Sequence, residues 1–342
     1  MRRTALFIAA AGIATASAIG GASASATTVP PDTTVPPDTA AAATVPDAPL
    51  PESLDILAPA DPGGGWDSTA RAMQVVLDPV IEGAVEVSNI PGAGGTIGLA
   101  EFAGRTGSGT DLMVMGSVMV GAIITNESAV TLDSVTPIAS LTTEYLGVVV
   151  PADSEFETME DLVAAFVEDP RSISWGGGSA GGTDHQLTAL IAAEVGVDPA
   201  DINYIAHAGG GEALASLLSG AVTTGVSGIS EFREQVDAGE LRFLAVTSEE
   251  PIEGVDAPTL MESGVNVMLS NWRGVVAPAD LSDEDRASLL ATVDTMVGSP
   301  EWTDELERNG WDDFYQSGDA FAEFLVEQIE TTTVVLGEIG LT

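Results

Sequence analysis

Two glycine-rich turns hold the residues best suited to chemistry. The first is Pro62-Gly63-Gly64-Gly65-Trp66-Asp67-Ser68-Thr69. The second is Gly176-Gly177-Gly178-Ser179-Ala180-Gly181-Gly182-Thr183-Asp184-His185. Each stands just before a segment with helical periodicity. Glycine lets the backbone come close to a ligand, and a helix start presents unpaired N–H groups with a partial positive charge. Two such turns can hold one anion between them using neutral donors. The N–H groups of Gly64, Gly65 and Trp66 form one expected cradle. The hydroxyls of Ser179 and Thr183, with the amides of Ala180, Gly181 and Gly182, form the other.

The neighbouring side chains admit duller roles. Asp67 is expected to cap a helix more than to meet a ligand, and Arg71, one turn on, is spaced to pair with it. Trp66 either walls the pocket or packs in the core. Asp184 suits the positive end of its helix, and His185 is expected in a core hydrogen bond. Ser117, after a third strand, is a candidate donor at the rim. Arg273 either pairs with an acid across a hinge or reaches the ligand.

Other chemistries fit less well. Gly177-Gly178-Ser179-Ala180-Gly181 matches the G-x-S-x-G turn of serine hydrolases, so a secreted α/β hydrolase using Ser179 is the alternative reading. Such an enzyme needs a histidine well downstream of its nucleophile, and His185 and His207 both follow closely. The loop Gly92-Ala93-Gly94-Gly95-Thr96 lacks the G-x-G-x-x-G spacing of a dinucleotide site. Without cysteine or paired histidines, no metal-ligand pattern stands out. No catalytic residue, cofactor or metal is therefore expected.

Composition narrows the partners. Against 52 Asp and Glu stand 10 basic residues, all arginine, for a formal net charge of -42. Such a surface repels nucleic acid and anionic lipid. With 45% hydrophobic residues the chain still has ample material for a core. Arg2 and Arg3 precede an apolar stretch from Ala5 to Ile19 and a run of small residues ending at Ala26. That is the pattern of an export signal over residues 1–26, and places the protein in the periplasm or outside the cell. Residues 27–51 repeat Thr-Val-Pro-Pro-Asp-Thr and read as a disordered Pro/Thr-rich tether.

The elements that position the turns alternate strand and helix, which argues for parallel α/β layers. Leu54–Pro59, Val85–Asn89, Leu112–Met115 and Val135–Ser140 read as strands of a first lobe. The pattern restarts at Tyr145–Val150 and continues through Ser172–Trp175, Asn203–Ala206, Val222–Val226 and Phe243–Val246. Asn271–Ala277 reads as a strand returning to the first lobe, ahead of three helices. This gives lobe 1 as residues 52–145 plus 272–342 and lobe 2 as 146–271. The hinge crossings fall near Thr142–Val150 and Ser270–Val276, as in a ligand clamp.

Taken together, the turns at 62–67 and 176–185, the loop Asn89-Ile90-Pro91-Gly92-Ala93-Gly94-Gly95-Thr96-Ile97-Gly98, Gly209-Gly210-Gly211-Glu212-Ala213 and Asn271-Trp272-Arg273-Gly274-Val275 resemble one family. It is that of the extracytoplasmic solute receptors of tripartite tricarboxylate transporters. The resemblance runs from about Ser53 to Thr342. It implies a periplasmic-binding-protein-like clamp of the type II, Venus-flytrap kind, with no enzymatic activity. It also implies delivery of a small carboxylate, such as citrate or a dicarboxylate, to a two-subunit membrane carrier driven by an ion gradient and not by ATP. The ligand carboxylate would sit between Gly64–Asp67 and Ser179–Thr183. The chain departs from the family in its acidity, its tether and the extra acid Asp184.

Overall fold

The computed structural model describes residues 48–342 and the backbone of a two-residue strand, β1 (Phe7–Ile8), paired in parallel with Met268–Leu269. Otherwise, the expected export signal and the tether up to residue 47 lie outside the described residues.

In lobe 1, β2 (Leu54–Ala58) leads into α1 (Gly65–Leu77), β3 (Val85–Asn89) into α2 (Thr96–Phe102), and β4 (Asp111–Gly116) into α3 (Ser117–Thr125). The long β5 (Val135–Pro151) then crosses to the second lobe. There follow α4 (Met159–Glu168), β6 (Ser174–Gly177), α5 (Thr183–Val195), β7 (Asn203–Ala206) and α6 (Gly210–Leu218). The lobe is completed by β8 (Thr224–Gly228), α7 (Ile229–Asp237) and β9 (Leu241–Val246). The return strand β10 (Met268–Pro278) precedes α8 (Asp283–Val297), α9 (Pro300–Asn309), β11 (Asp312–Ser317) and α10 (Asp319–Glu338).

The strands run in the order β3-β2-β4-β10-β5-β8-β6-β7. Each end is a parallel triplet, β3-β2-β4 and β7-β6-β8. Helices cover such triplets, so β4 and β8 are buried along their whole length. Between the triplets lie the antiparallel β5 and β10, which are long enough to belong to both lobes.

Two large apolar cores follow from this layout, with a smaller third around Leu217, Phe232 and Phe243. Ile56, Met73, Phe102, Val114 and Trp302 centre the first. Val148, Phe166, Trp175 and Leu187 centre the second. β5 supplies Ile138 and Leu141 to one and Leu146 and Val148 to the other. α10 does likewise, with Phe321 and Leu325 in the first core and Val335 and Leu336 in the second. The last turns of the chain thus pack with lobe 2, although the sequence reading grouped 272–342 with lobe 1.

Four local expectations change. Val135–Ser140 and Tyr145–Val150 are one strand, because Thr142–Glu144 continue the pairing with β10 past a register shift at Leu141. The buried polar residues Thr142 and Glu144 had hidden this continuity. α1 begins at Gly65 with Gly64 as its N-cap, ahead of the Asp67 cap expected from sequence. α3 was unforeseen because its sequence is apolar on every side, which erases helical periodicity. β11 was unforeseen because its residues, Asp-Asp-Phe-Tyr-Gln-Ser, are mostly polar.

Trp175 is fully buried and meets Phe166 edge-on, with ring centroids 5.3 Å apart. Trp175→Ala is expected to cost about 3–5 kcal/mol in urea unfolding. Val326→Ala, at a position 57% exposed on α10, is expected to stay within about 0.5 kcal/mol in the same assay.

Candidate functional site

Both glycine turns face one cavity of about 490 Å3 between the lobes. Lobe 1 contributes the stretch from Pro59 to Trp66 and the pair Gly94–Gly95. Lobe 2 contributes Gly178, Ser179 and Gly182–Asp184, together with a third turn, Ala208–Glu212. β10 adds Asn271 and Arg273 from the hinge.

Besides the short α2, which follows Gly95, three longer helices start at this cavity: α1, α5 and α6. Their N-caps are Gly64, Gly182 and Gly209, and none of these caps makes a side-chain hydrogen bond. Elsewhere, α4, α8 and α9 are capped by the side chains of Thr158, Ser282 and Ser299, whereas α3, α7 and α10 also start at glycines without a side-chain bond, and none of these six caps lines the cavity. A helix start needs acceptors for its first N–H groups. At the cavity that need is left for something else to meet.

The candidates from sequence divide here. Gly64, Gly65, Trp66, Ser179, Gly182, Thr183 and Asp184 line the cavity, whereas Asp67, Ser117, Ala180 and Gly181 do not. Asp67 is used up at once: its carboxylate accepts from the Gly63 N–H at 2.8 Å, from Asn89 Nδ2 at 2.9 Å and from Arg71 Nε at 2.8 Å. These bonds lower its pKa even though burial acts to raise it. The Ser117 hydroxyl donates to Asn271 Oδ1 at 2.6 Å and lies 3.0 Å from Thr183 Oγ1, so it ties α3 to the hinge and to α5.

In the first turn the Gly64 N–H, expected in the cradle, donates instead to the Asp61 carbonyl at 3.1 Å, and the second turn is also less open than its sequence suggests. The Gly181 N–H donates to His185 Nδ1 at 3.0 Å, and the Gly182 N–H to the Ser179 carbonyl at 3.0 Å. Those two amides hold the turn in shape. His185 is stacked on Tyr204 at 4.1 Å, and burial pushes its pKa down to about 4. Trp66 serves in both of its possible roles, being largely buried against Gly95 and also lining the cavity.

The lobes touch through α3 and the second turn. A Cβ added to Gly121 would stand 2.1 Å from the Gly181 carbonyl oxygen, and one added to Gly181 would stand 2.1 Å from Thr125 Oγ1. Only glycine permits this approach, and Gly181 also has φ +73°.

Beneath the cavity lies a buried ion pair. Arg273 Nη2 donates to Glu144 Oε1 where β10 crosses β5, and both side chains are 2% exposed. Glu144 Oε2 accepts from the Ser230 hydroxyl at 2.6 Å. The Arg273 guanidinium also lies over the Trp311 ring, 5.1 Å from its centroid. Two further acids crowd this pair, Asp184 and Glu231. Burial is the main cause of their raised pKa values, and Glu144 adds to it; both are pushed up to about 7.

Sequence reasoning weighed Arg273 but left out Glu231 and Ser227, and it took the Gly209–Ala213 run as a family mark without placing it at the site. The third turn carried a usable signal, since glycines precede a helix there as in the other two. Glu231 carried none, being one acid among 52 Asp and Glu.

Arg273→Met is expected to destabilise the protein by about 3–5 kcal/mol in urea unfolding, because it strands the Glu144 carboxylate in the interior. Adding Glu144→Leu should restore part of that loss. A second prediction concerns pH. The folded state holds the protons of Asp184 and Glu231 up to about pH 7, whereas a freely solvated Asp or Glu releases its proton near 3.8 or 4.5. Their contribution to stability is therefore full at low pH and falls as pH rises through this window. His185, held neutral by burial, acts in the opposite direction. Asp184→Asn with Glu231→Gln should make stability at about pH 8 fall less relative to about pH 5, as read by urea unfolding.

Comparison with known proteins agrees with this geometry. A sequence model for the tripartite tricarboxylate transporter family receptor, TctC, matches residues 69–341. BugT of Bordetella pertussis is 25% identical over 306 residues, covering 88% of this chain and 92% of BugT. A TctC solute binding protein from Polaromonas is 26% identical with a TM-score of 0.60, covering 84% of this chain and 98% of that one. The fold also matches R. palustris Rpa4515 with adipate, at a TM-score of 0.77, 23% identity and coverage of 84% and 97%. It matches MatC of Rhodopseudomonas palustris with bound malate, at a TM-score of 0.74, 20% identity and coverage of 83% and 98%. With helix starts from two lobes turned on one cavity and a family match along most of its length, this chain belongs to the tripartite tricarboxylate transporter receptor family.

Proposed function

We propose that this protein is an exported receptor that captures a small carboxylate between its lobes. It delivers that ligand to the two-subunit membrane carrier of a tripartite transporter, coupled to an ion gradient and not to ATP. The observation that carries the reading is the convergence of three uncapped helix starts, from both lobes, on one cavity. A carboxylate there accepts from main-chain N–H groups, each charge-assisted bond contributing about 1.5–3 kcal/mol before desolvation. Because it touches both lobes, it favours their approach over their separation, and that difference is what a carrier can read.

Adipate and malate, carried by Rpa4515 and MatC, support a small carboxylate as the ligand class. The hydrolase alternative lacks support from the histidines. His185 Nδ1 is taken by the Gly181 N–H, and His207 bonds to the Gly177 carbonyl and the Ser216 hydroxyl. Neither histidine is hydrogen-bonded to Ser179. Among the described residues no helix is long and apolar enough to cross a membrane, which leaves passage across it to the carrier.

The reading is tested by thermal unfolding with a panel of small mono-, di- and tricarboxylates and amino acids. A ligand at 100 times its Kd is expected to add about 2.7 kcal/mol of stability. Gly121→Val, which sets a side chain against the Gly181 carbonyl, should weaken that ligand by about tenfold or more while the unliganded protein still melts cooperatively. A flat response to every compound would sink the reading.

A further inference from the structure

The cavity is poorly arranged for a ligand that carries only negative charge. Arg273 is the one cationic side chain lining it, and Glu144 already neutralises that guanidinium. Asp61, Asp184, Glu212 and Glu231 also line it. Two of these acids have their charge largely accounted for: Asp61 lies at the exposed mouth, and the exposed Glu212 accepts from the Ala208 N–H at 3.0 Å. Asp184 and Glu231 are different: Asp184 is buried, and Glu231 is half-buried with its Oε2 enclosed, both lining the cavity with Ser227.

Of Asp184, Oδ2 accepts from the Gly178 N–H at 2.8 Å. Glu231 Oε2 is buried and has no partner. Its position is telling. A Cβ placed on Gly210, at the start of α6, would overlap Glu231 Oε2 at 1.3 Å. A Cβ on Gly65, at the start of α1, would lie 3.2 Å from Glu231 Oε1. An unpaired carboxylate therefore stands between helix starts of opposite lobes, directly beside the donors assigned to the ligand carboxylate. Buried acceptors without partners are rare and are costly to leave unmet.

Resting on the receptor reading above, we propose that the ligand is an amino acid in the broad sense: a carboxylate carrying a protonated amine. The uncapped helix starts hold its carboxylate, and Glu231, with Asp184 beside it, accepts from its ammonium. An ammonium supplies three donors and no acceptor, which is what two neighbouring carboxylates need. A second ligand carboxylate in the same place would bring no donor for the two acids and would raise their proton affinity further, whereas an ammonium favours their ionised forms. The chain has no lysine, and Glu144 offsets the charge of the one arginine lining the cavity, whose buried Nη1 is left without a partner beside the helix starts.

The test uses calorimetry on the exported chain with compounds matched except for one amine. The pairs are aspartate with succinate, alanine with propionate, and phenylalanine with 3-phenylpropionate. In the best-binding pair the amine-bearing member should bind at least about tenfold tighter, and Glu231→Gln should shrink that ratio. An amine-free member that binds as tightly or more tightly overturns the inference and leaves the carboxylate receptor standing. An unchanged ratio in a folded Glu231→Gln protein also overturns it. If no member of any pair binds a protein with intact far-UV circular dichroism, the receptor reading itself fails, and this inference with it.

Discussion

Backbone N–H groups at a helix start must find an acceptor, and the site depends on where this chain declines to supply one. Away from the cavity, Thr158, Ser282 and Ser299 turn their hydroxyls onto the first turns of α4, α8 and α9. At the cavity, Gly64, Gly182 and Gly209 have no side chain to do so. Removing the cap costs each helix about 1 kcal/mol or less, since glycine is itself tolerated as an N-cap. What is gained is a set of neutral donors fixed on rigid elements. In a protein with a formal charge of -42, such donors hold an anion without a cluster of cationic side chains.

The hinge strands bind this arrangement together. β5 and β10 each pass through both lobes, so the Arg273–Glu144 pair sits where any rotation between the lobes must be absorbed. Isolating this pair from water is expensive, and the surroundings compensate with specific contacts. Ser230 bonds Glu144, and Trp311 lies under Arg273. The same burial that makes the pair costly also raises the proton affinity of Asp184 and Glu231. Local fold stability and ligand electrostatics are therefore set by one group of side chains.

Much of the fold was legible because parallel α/β units leave strong marks. Leu112–Met115 is a continuous apolar run, as a strand covered on both faces should be, and the Ala70, Met73, Val76 and Leu77 spacing gave α1. Legibility failed where pattern and environment disagree. α3 is buried between lobes and so has no polar face, and β11 is an outer strand with polar residues. β5 was split in two because Thr142 and Glu144 are polar residues buried for the sake of the hinge.

The sequence by itself determined that glycine turns open two helices and that the lobes are linked by paired crossings, and it pointed to main-chain donors at the cleft. These follow from local conformational rules: glycine frees the backbone, and helix starts lack acceptors. Tertiary structure alone decided which amides stay available, since Gly181 and Gly182 are consumed within their own turn. It also decided that Ala208–Glu212 joins them and that Glu231, distant in the chain from Gly65, comes to stand beside it. Proximity of that kind depends on how two lobes meet around β5 and β10, and no local pattern in an acid-rich chain encodes it.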